Sequence, residues 1–255
     1  LAIGILEWLE KYDRTVINGS RALDLEISKI RQYQELEKFD IDTPPTYATI
    51  RKSRMLDGAN KIGYPLISKH NRAGKGLGVF KFTNMESLKN YIISDEFQPS
   101  PDGINLIQKY ISAPTNSIIR LEFIGSKFLY AVEVDTTDGF ELCPSDNCNV
   151  ESNCPTGVAE KFRILKNFKL ENIQKYEKFL IKNNIGIAGI EIIIDEKGKI
   201  WTYDVNTNTN YNPQAEAKAN ISAPLKIAKY LKELADQKNL ALQSSSSSRR
   251  FSSTL

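Results

Sequence analysis

Apolar positions along residues 20–39 fall at Leu23, Ile27, Ile30 and Leu36, the spacing of one helix face, behind Ser20, whose hydroxyl suits a helix N-cap. The run Asp42-Thr43-Pro44-Pro45 then forces the chain to extend, because proline restricts both itself and the residue before it. Strands are predicted at 46–49, 64–69, 79–82 and 104–111, with helices at 52–61 and after Thr83, where Thr83 and Glu86 make a capping box. Farther on, 118–124 and 127–134 alternate as a hairpin turned at Gly125-Ser126, and 170–183 returns to helical spacing. A second hairpin, 189–194 and 200–205, turns at Asp195-Glu196-Lys197-Gly198, and a helix follows over 224–236.

This alternation predicts an α+β protein without a fixed-period repeat, with one lobe over 20–111 and a second over 112–240. Residues 1–19, an amphipathic helix and the short apolar strand Thr15-Val16-Ile17-Asn18 with no sheet to join, read as the remnant of a preceding domain. Residues 241–255 are serine-rich and low in complexity, cannot bury a core, and are expected to be a disordered tail.

Composition narrows the picture. With 255 residues, 41% of them hydrophobic, the chain has enough apolar material for one large or two small cores. Its 34 Lys+Arg against 31 Asp+Glu give a net charge of +3, so no global excess points to nucleic acid. No stretch approaches the roughly 18 apolar residues of a membrane span, and the acidic start lacks the features of a signal peptide. A cytoplasmic protein is expected, with neither nucleic acid nor membrane as a partner. Cys143, Cys148 and Cys154, three thiols in one segment, fit a reducing compartment better than a disulfide framework. For that segment three readings stand open: a metal site borrowing Asp146 or Glu151, a loop facing substrate, or an inert solvent loop.

Two constellations carry chemistry. In the segment 69–78, Lys69 ends a strand and is followed by Gly74, Lys75, Gly76 and Gly78 before the next strand. Glycines let backbone amides turn onto phosphate oxygens and lysine supplies a compact charge, so the segment reads as a phosphate-covering flap between strands. A merely mobile hairpin is the bland alternative. The flap does not open a helix, unlike a P-loop. His70, the only histidine, alternates away from Lys69 and reads as packing or exposed. In the second constellation, Glu191 on one strand of the last hairpin faces Asp204 and Asn206 on the other, two apart and therefore on one face. Three oxygen donors of this kind suit Mg²⁺, which is held by one or two carboxylates together with substrate phosphates. An ordinary polar hairpin face is the competing reading.

Together these residues resemble the ATP-grasp superfamily, in particular its ribosomal-protein glutamate ligase and glutathione synthetase branch, over residues 18–212. Lys29, twelve positions before Ile41 of Ile-Asp-Thr-Pro-Pro-Thr (41 − 29 = 12), and Lys69 match the family's two phosphate-binding lysines. Gln108, Lys109, Tyr110 and Ile111 resemble its adenine-binding hinge, and Arg120 matches the arginine of an Asp-Ile-Arg triplet that here reads Ile-Ile-Arg. Glu191, Asp204 and Asn206 match its metal-binding acid and Glu-Val-Asn triplet, with Asp204 in place of Glu. The chain departs from the family at Glu133, on a strand that often carries an arginine, and at 207–212, where a small-residue and proline turn is common.

The resemblance implies two α+β lobes clamping the nucleotide, with the leading pre-grasp domain largely absent. It implies ATP and Mg²⁺ (or Mn²⁺) as cofactors and a carboxylate and an amine, small molecule or peptide, as substrates, joined through an acyl phosphate with ADP released. Lys29 and Lys69 would hold phosphates, Arg120 would steady the developing charge, and the closed flap would exclude water. A kinase of the same fold and a non-catalytic nucleotide-binding module are the alternatives; Arg120 could also be only a surface ion pair.

Overall fold

The computed structural model describes residues 2–74, 78–136 and 161–251, with the side chains of 242 and 244–251 left aside. The three cysteines, Lys75 and Gly76 lie outside the described residues. Two compact units divide the chain, 1–212 and 213–255.

The first unit opens with α1 (Ala2–Lys11), α2 (Ser20–Glu26) and α3 (Lys29–Glu37). No strand forms over 15–18, contrary to expectation. Instead the Asn18 amide knits four backbone groups, donating to Ile187 O and Thr207 O and accepting from Gly186 N and Ile187 N. The single helix expected over 20–39 is also two. Its break at Ile27-Ser28 is stabilised by Asn71, whose carbonyl accepts from Lys29 N and whose Oδ1 accepts from Ile30 N. Orphan amides at a helix start need such partners, so the second helix begins where Asn71 can supply them.

A four-stranded antiparallel sheet follows, in the order β1-β4-β2-β3, from β1 (Thr46–Thr49), β2 (Leu66–His70), β3 (Phe80–Phe82) and β4 (Asn105–Lys109). Helices α4 (Met55–Ile62), entered through a 3-10 turn at Lys52–Arg54, and α5 (Met85–Ile93) intervene. The cap of α5 is Asn84, whose side chain accepts from Ser87 N, rather than Thr83; the carboxamide oxygen reaches the amide three residues on without the capping box. Met55, Leu66, Leu88 and Ile107 anchor the cluster under this sheet.

The second sheet is five-stranded and antiparallel, in the order β7-β6-β5-β8-β9. Its strands are β5 (Ser117–Ile124), β6 (Lys127–Asp135), β7 (Phe162–Leu165), β8 (Ile187–Ile194) and β9 (Ile200–Asn206), with α6 (Ile173–Lys182) between β7 and β8. Positive φ at Gly125 and Ser126 gives the tight turn between β5 and β6. Leu121, Phe123, Ile190 and Ile192 face a core shared with Phe179 and Leu180 of α6. That core also takes Ala22, Leu25, Tyr33 and Leu36, so α2 and α3, expected with the first lobe, pack with the second sheet. β7, four residues without clear alternation, and α7 (Pro213–Ala219) had no predicted counterpart.

The second unit holds α7 and α8 (Ala223–Phe251), where Glu216 Oε1 accepts from Ala223 N at 2.9 Å. The structure carries α8 through the serines to Phe251, where a disordered tail was expected from 241. Serine costs a helix only about half a kcal/mol per residue relative to alanine, so a helix already nucleated can propagate through it.

Candidate active site

Lys29 opens α3 and Tyr33 follows one turn later on the same helix face. β9, at the edge of the second sheet, is held against this helix by Gln32, whose amide donates to Val205 O at 2.9 Å and accepts from Val205 N at 3.0 Å. A side-chain amide thereby satisfies a strand's open edge. This brings Lys29 Nζ to 2.8 Å from Asp204 Oδ1. From the other sheet Lys69 Nζ donates to the Tyr33 hydroxyl at 2.6 Å, as does Gln108 Nε2 at 3.1 Å. The phenol donates in turn to Tyr203 O at 3.0 Å. Lys69 and Gln108 therefore meet on one buried phenol, and the Lys29–Asp204 pair stands beside it.

Charge and burial compete here. Burial, then the neighbouring Lys29 ammonium, push the Lys69 pKa down to about 7, against the pull of Asp204 and Glu191. Burial and then the charge of Asp204 raise the Glu191 carboxyl, despite Arg120, Lys29 and a hydrogen bond from Tyr203. Glu191 and Asp204 are cross-strand partners, and a bulge leaves Tyr203 as the extra residue opposite Glu191. Asn206 pairs with Gly189 and its amide reaches Glu191 Oε1 at 3.4 Å. The structure thus brings Glu191, Asp204 and Asn206 together as the hairpin predicts. Among the described residues no three His, Cys, Asp or Glu side chains form a metal-holding group. Two carboxylates and an amide, all oxygen donors, nevertheless suit a hard cation that fills its shell with water and phosphate, and a cation would relieve the facing carboxylates.

Arg120 lies on the same face, opposite Glu191 in register. Its Nε is 2.8 Å from Glu122 Oε1, and its Nη2 donates to the Thr209 hydroxyl. It is buried and ion-paired to a carboxylate, so the surface ion pair does not describe it. Glu133, by contrast, stands opposite Ile119 and Arg163, one step out of phase with Arg120. Its side chain therefore projects from the other face, where Arg163 Nε binds it at 3.1 Å. The departure at Glu133 does not touch this site.

The hinge segment is partly committed. Gln108 is buried, its amide spent on Tyr33 and on Thr46 Oγ1 at 2.7 Å. The N–H groups of Lys109 and Tyr110 are bonded to Pro45 O and Pro65 O. Lys109 Nζ donates to Tyr64 O at 3.0 Å, and Lys81 Nζ lies 3.6 Å above the Tyr110 ring. Ile111, just beyond β4, is half-buried. At the flap's described ends, Gly74 has open space around its Cα, while Gly78 has φ +71° and sits against the His70 ring. His70, for which packing or exposure was expected, is half-buried with Nε2 2.8 Å from Gln98 O. Tyr33, Gln32, Glu122, Tyr203 and Thr209 were not singled out from the sequence. The i, i+4 spacing of Lys29 and Tyr33, and the i, i+2 spacing of Arg120 and Glu122, are the signals that could have found two of them.

A family model for the RimK-like ATP-grasp domain matches residues 27–231. Human N-acetylaspartylglutamate synthase A is 25% identical over 217 residues, covering 82% of this chain and 50% of its own. The alpha-aminoadipate–LysW ligase LysX of Saccharolobus solfataricus is 29% identical over 120 residues, 47% of this chain and 43% of its own. The chain spans about half the length of the curated relatives it matches. The ATP-grasp ligase PsnB, bound to a phosphomimetic variant of its minimal precursor, Mg and ADP, superposes with a TM-score of 0.62 at 14% identity, over 91% of this chain and 66% of that one. A RimK domain ATP-grasp protein of Sphaerobacter thermophilus gives 0.62 at 14%, over 90% and 76%.

Proposed function

We propose that this chain, which belongs to the RimK-like ATP-grasp family, binds Mg·ATP between its two sheets and serves an ADP-forming ligation of a carboxylate to an amine. The observation that carries the reading is that two lysines and two acids from α3 and both sheets meet: Lys69 bonds the Tyr33 hydroxyl and feels the charges of Lys29, Asp204 and Glu191, Lys29 pairs with Asp204, and Asp204 stands cross-strand to Glu191. Phosphoryl transfer asks a protein mainly for position and charge neutralisation, which this arrangement offers.

Lys29 and Lys69 would face phosphate oxygens, and Lys69 would recover its full charge once an anion sits beside it. Glu191, Asp204 and Asn206 would hold the divalent cation, which supplies charge neutralisation between phosphates. Arg120, on the same face, would meet the transferred phosphoryl group or the acyl phosphate. The ligation reading rests on the company this chain keeps: its relatives include an N-acetylaspartylglutamate synthase and an aminoadipate ligase.

Calorimetric titration of ATP, with and without Mg²⁺, into the parent protein, Lys69→Ala and the Asp204→Asn/Asn206→Ala double variant tests the grip. Magnesium-dependent binding that both variants weaken is expected. A parent that binds no nucleotide would sink the proposal. Release of ADP and inorganic phosphate with amide formation then separates a ligase from a kinase, which would leave a stable phosphoester.

A further inference from the structure

The Arg120 guanidinium lies between two buried carboxylates. Its Nε is 2.8 Å from Glu122 Oε1, and its Nη1 is 3.8 Å from Glu191 Oε1. The nearer acid exerts the stronger pull, since Coulomb attraction falls with distance. Thr209 closes the arrangement on the Glu122 side: its hydroxyl accepts from Arg120 Nη2 and donates to Glu122 Oε2 at 3.0 Å. Gly189 leaves room for it, because a Cβ there would stand 2.5 Å from Arg120 Nε and 2.7 Å from Thr209 Oγ1. Glu122 itself is 2% exposed, too enclosed to meet a substrate.

A buried guanidinium does not stay unpaired. Without the charge of Glu122, the nearest carboxylate left to Arg120 is Glu191. The arginine would then cover the acid assigned to the cation, and the cation would have to displace it. We propose that Glu122 is a positioning residue that, with Thr209, holds Arg120 off Glu191 and so keeps Glu191 open to a divalent cation. This rests on the assignment of Glu191, Asp204 and Asn206 as the cation's ligands.

The test titrates Mn²⁺ into the full chain saturated with ADP and follows free Mn²⁺ by electron paramagnetic resonance, a readout independent of turnover. Glu122→Gln keeps the size of the side chain and an acceptor for Thr209, so the fold has little reason to change. It should weaken Mn²⁺ by roughly 10- to 100-fold, the usual cost of disturbing the partners of a metal ligand. Adding Arg120→Ala to that variant should restore Mn²⁺ affinity, because the competitor for Glu191 is gone. Parental Mn²⁺ affinity in Glu122→Gln overturns the inference, as does a loss that Arg120→Ala does not repair. A parent that binds ADP but no Mn²⁺ refutes the cation assignment itself, and the inference with it; the two failures are thus told apart by the parent alone.

Discussion

Lys69 is 4% exposed and shares its surroundings with a second ammonium, Lys29, which is why its pKa falls to about 7. At pH 8 the side chain is then mostly neutral, and a phosphate placed beside it must bring a proton along. Mg·ATP binding at pH 8 should therefore take up close to one proton, measured as the dependence of calorimetric heat on buffer ionisation enthalpy. Lys69→Met should lack that uptake. The same shift has a stability consequence: the charged form is disfavoured in the fold, so this group's contribution rises as pH climbs from about 7 towards its ordinary 10.5. Tyr33 is the other decisive side chain, a single hydroxyl with two donors and one acceptor. Tyr33→Phe should cost about 1–3 kcal/mol in denaturant unfolding, since it strands buried polar partners. Lys69, Glu191, Asp204 and Asn206 were legible as candidates from residue type and spacing, and Lys29 and Arg120 through their match to the family's motifs. Thr209 was not, because it reaches Arg120 from 89 residues away, along no strand or helix period.

Elements with strong periodicity came out of the sequence nearly as they stand in the structure, above all the β5–β6 and β8–β9 hairpins. Those whose ends depend on distant partners did not. The split between α2 and α3 is made by Asn71, more than forty residues on, and the bulge at Tyr203 follows from how β9 meets β8. β7 has no alternation of its own and is strand only because β6 offers it an edge. The edge of β9 is the element most open to test. Gln32→Leu would strip Val205 O of its donor while Val205 N keeps its second acceptor, Asp204 Oδ1, and should cost about 1–3 kcal/mol by leaving a buried C=O unsatisfied. Equilibrium unfolding in urea would measure it. An unchanged midpoint would mean that the edge is satisfied in some other way.

Within the first unit the two hydrophobic clusters meet at one strand. Successive residues of β4 point to opposite faces, and Leu106 belongs to the cluster with Phe123 and Phe179 while Ile107 belongs to the cluster with Met55 and Leu88. Leu106→Ala should destabilise by about 2–5 kcal/mol, and probes placed in either cluster should report the same loss. Two separate transitions, only one of them shifted, would show that β4 does not join the cores. The second sheet divides its labour in a related way. On β5 and β6, Leu121 and Ala131 fill the core, while Arg120 and Glu122 stand in the opposite phase, on the side of Glu191. Variation at Leu121 and Ala131 is then judged by packing and variation at Arg120 and Glu122 by the company of charges, so two different pressures act on neighbouring codons. A lineage can therefore accept a packing change at one residue of the strand and a charge change at the next, each answering to a separate selection.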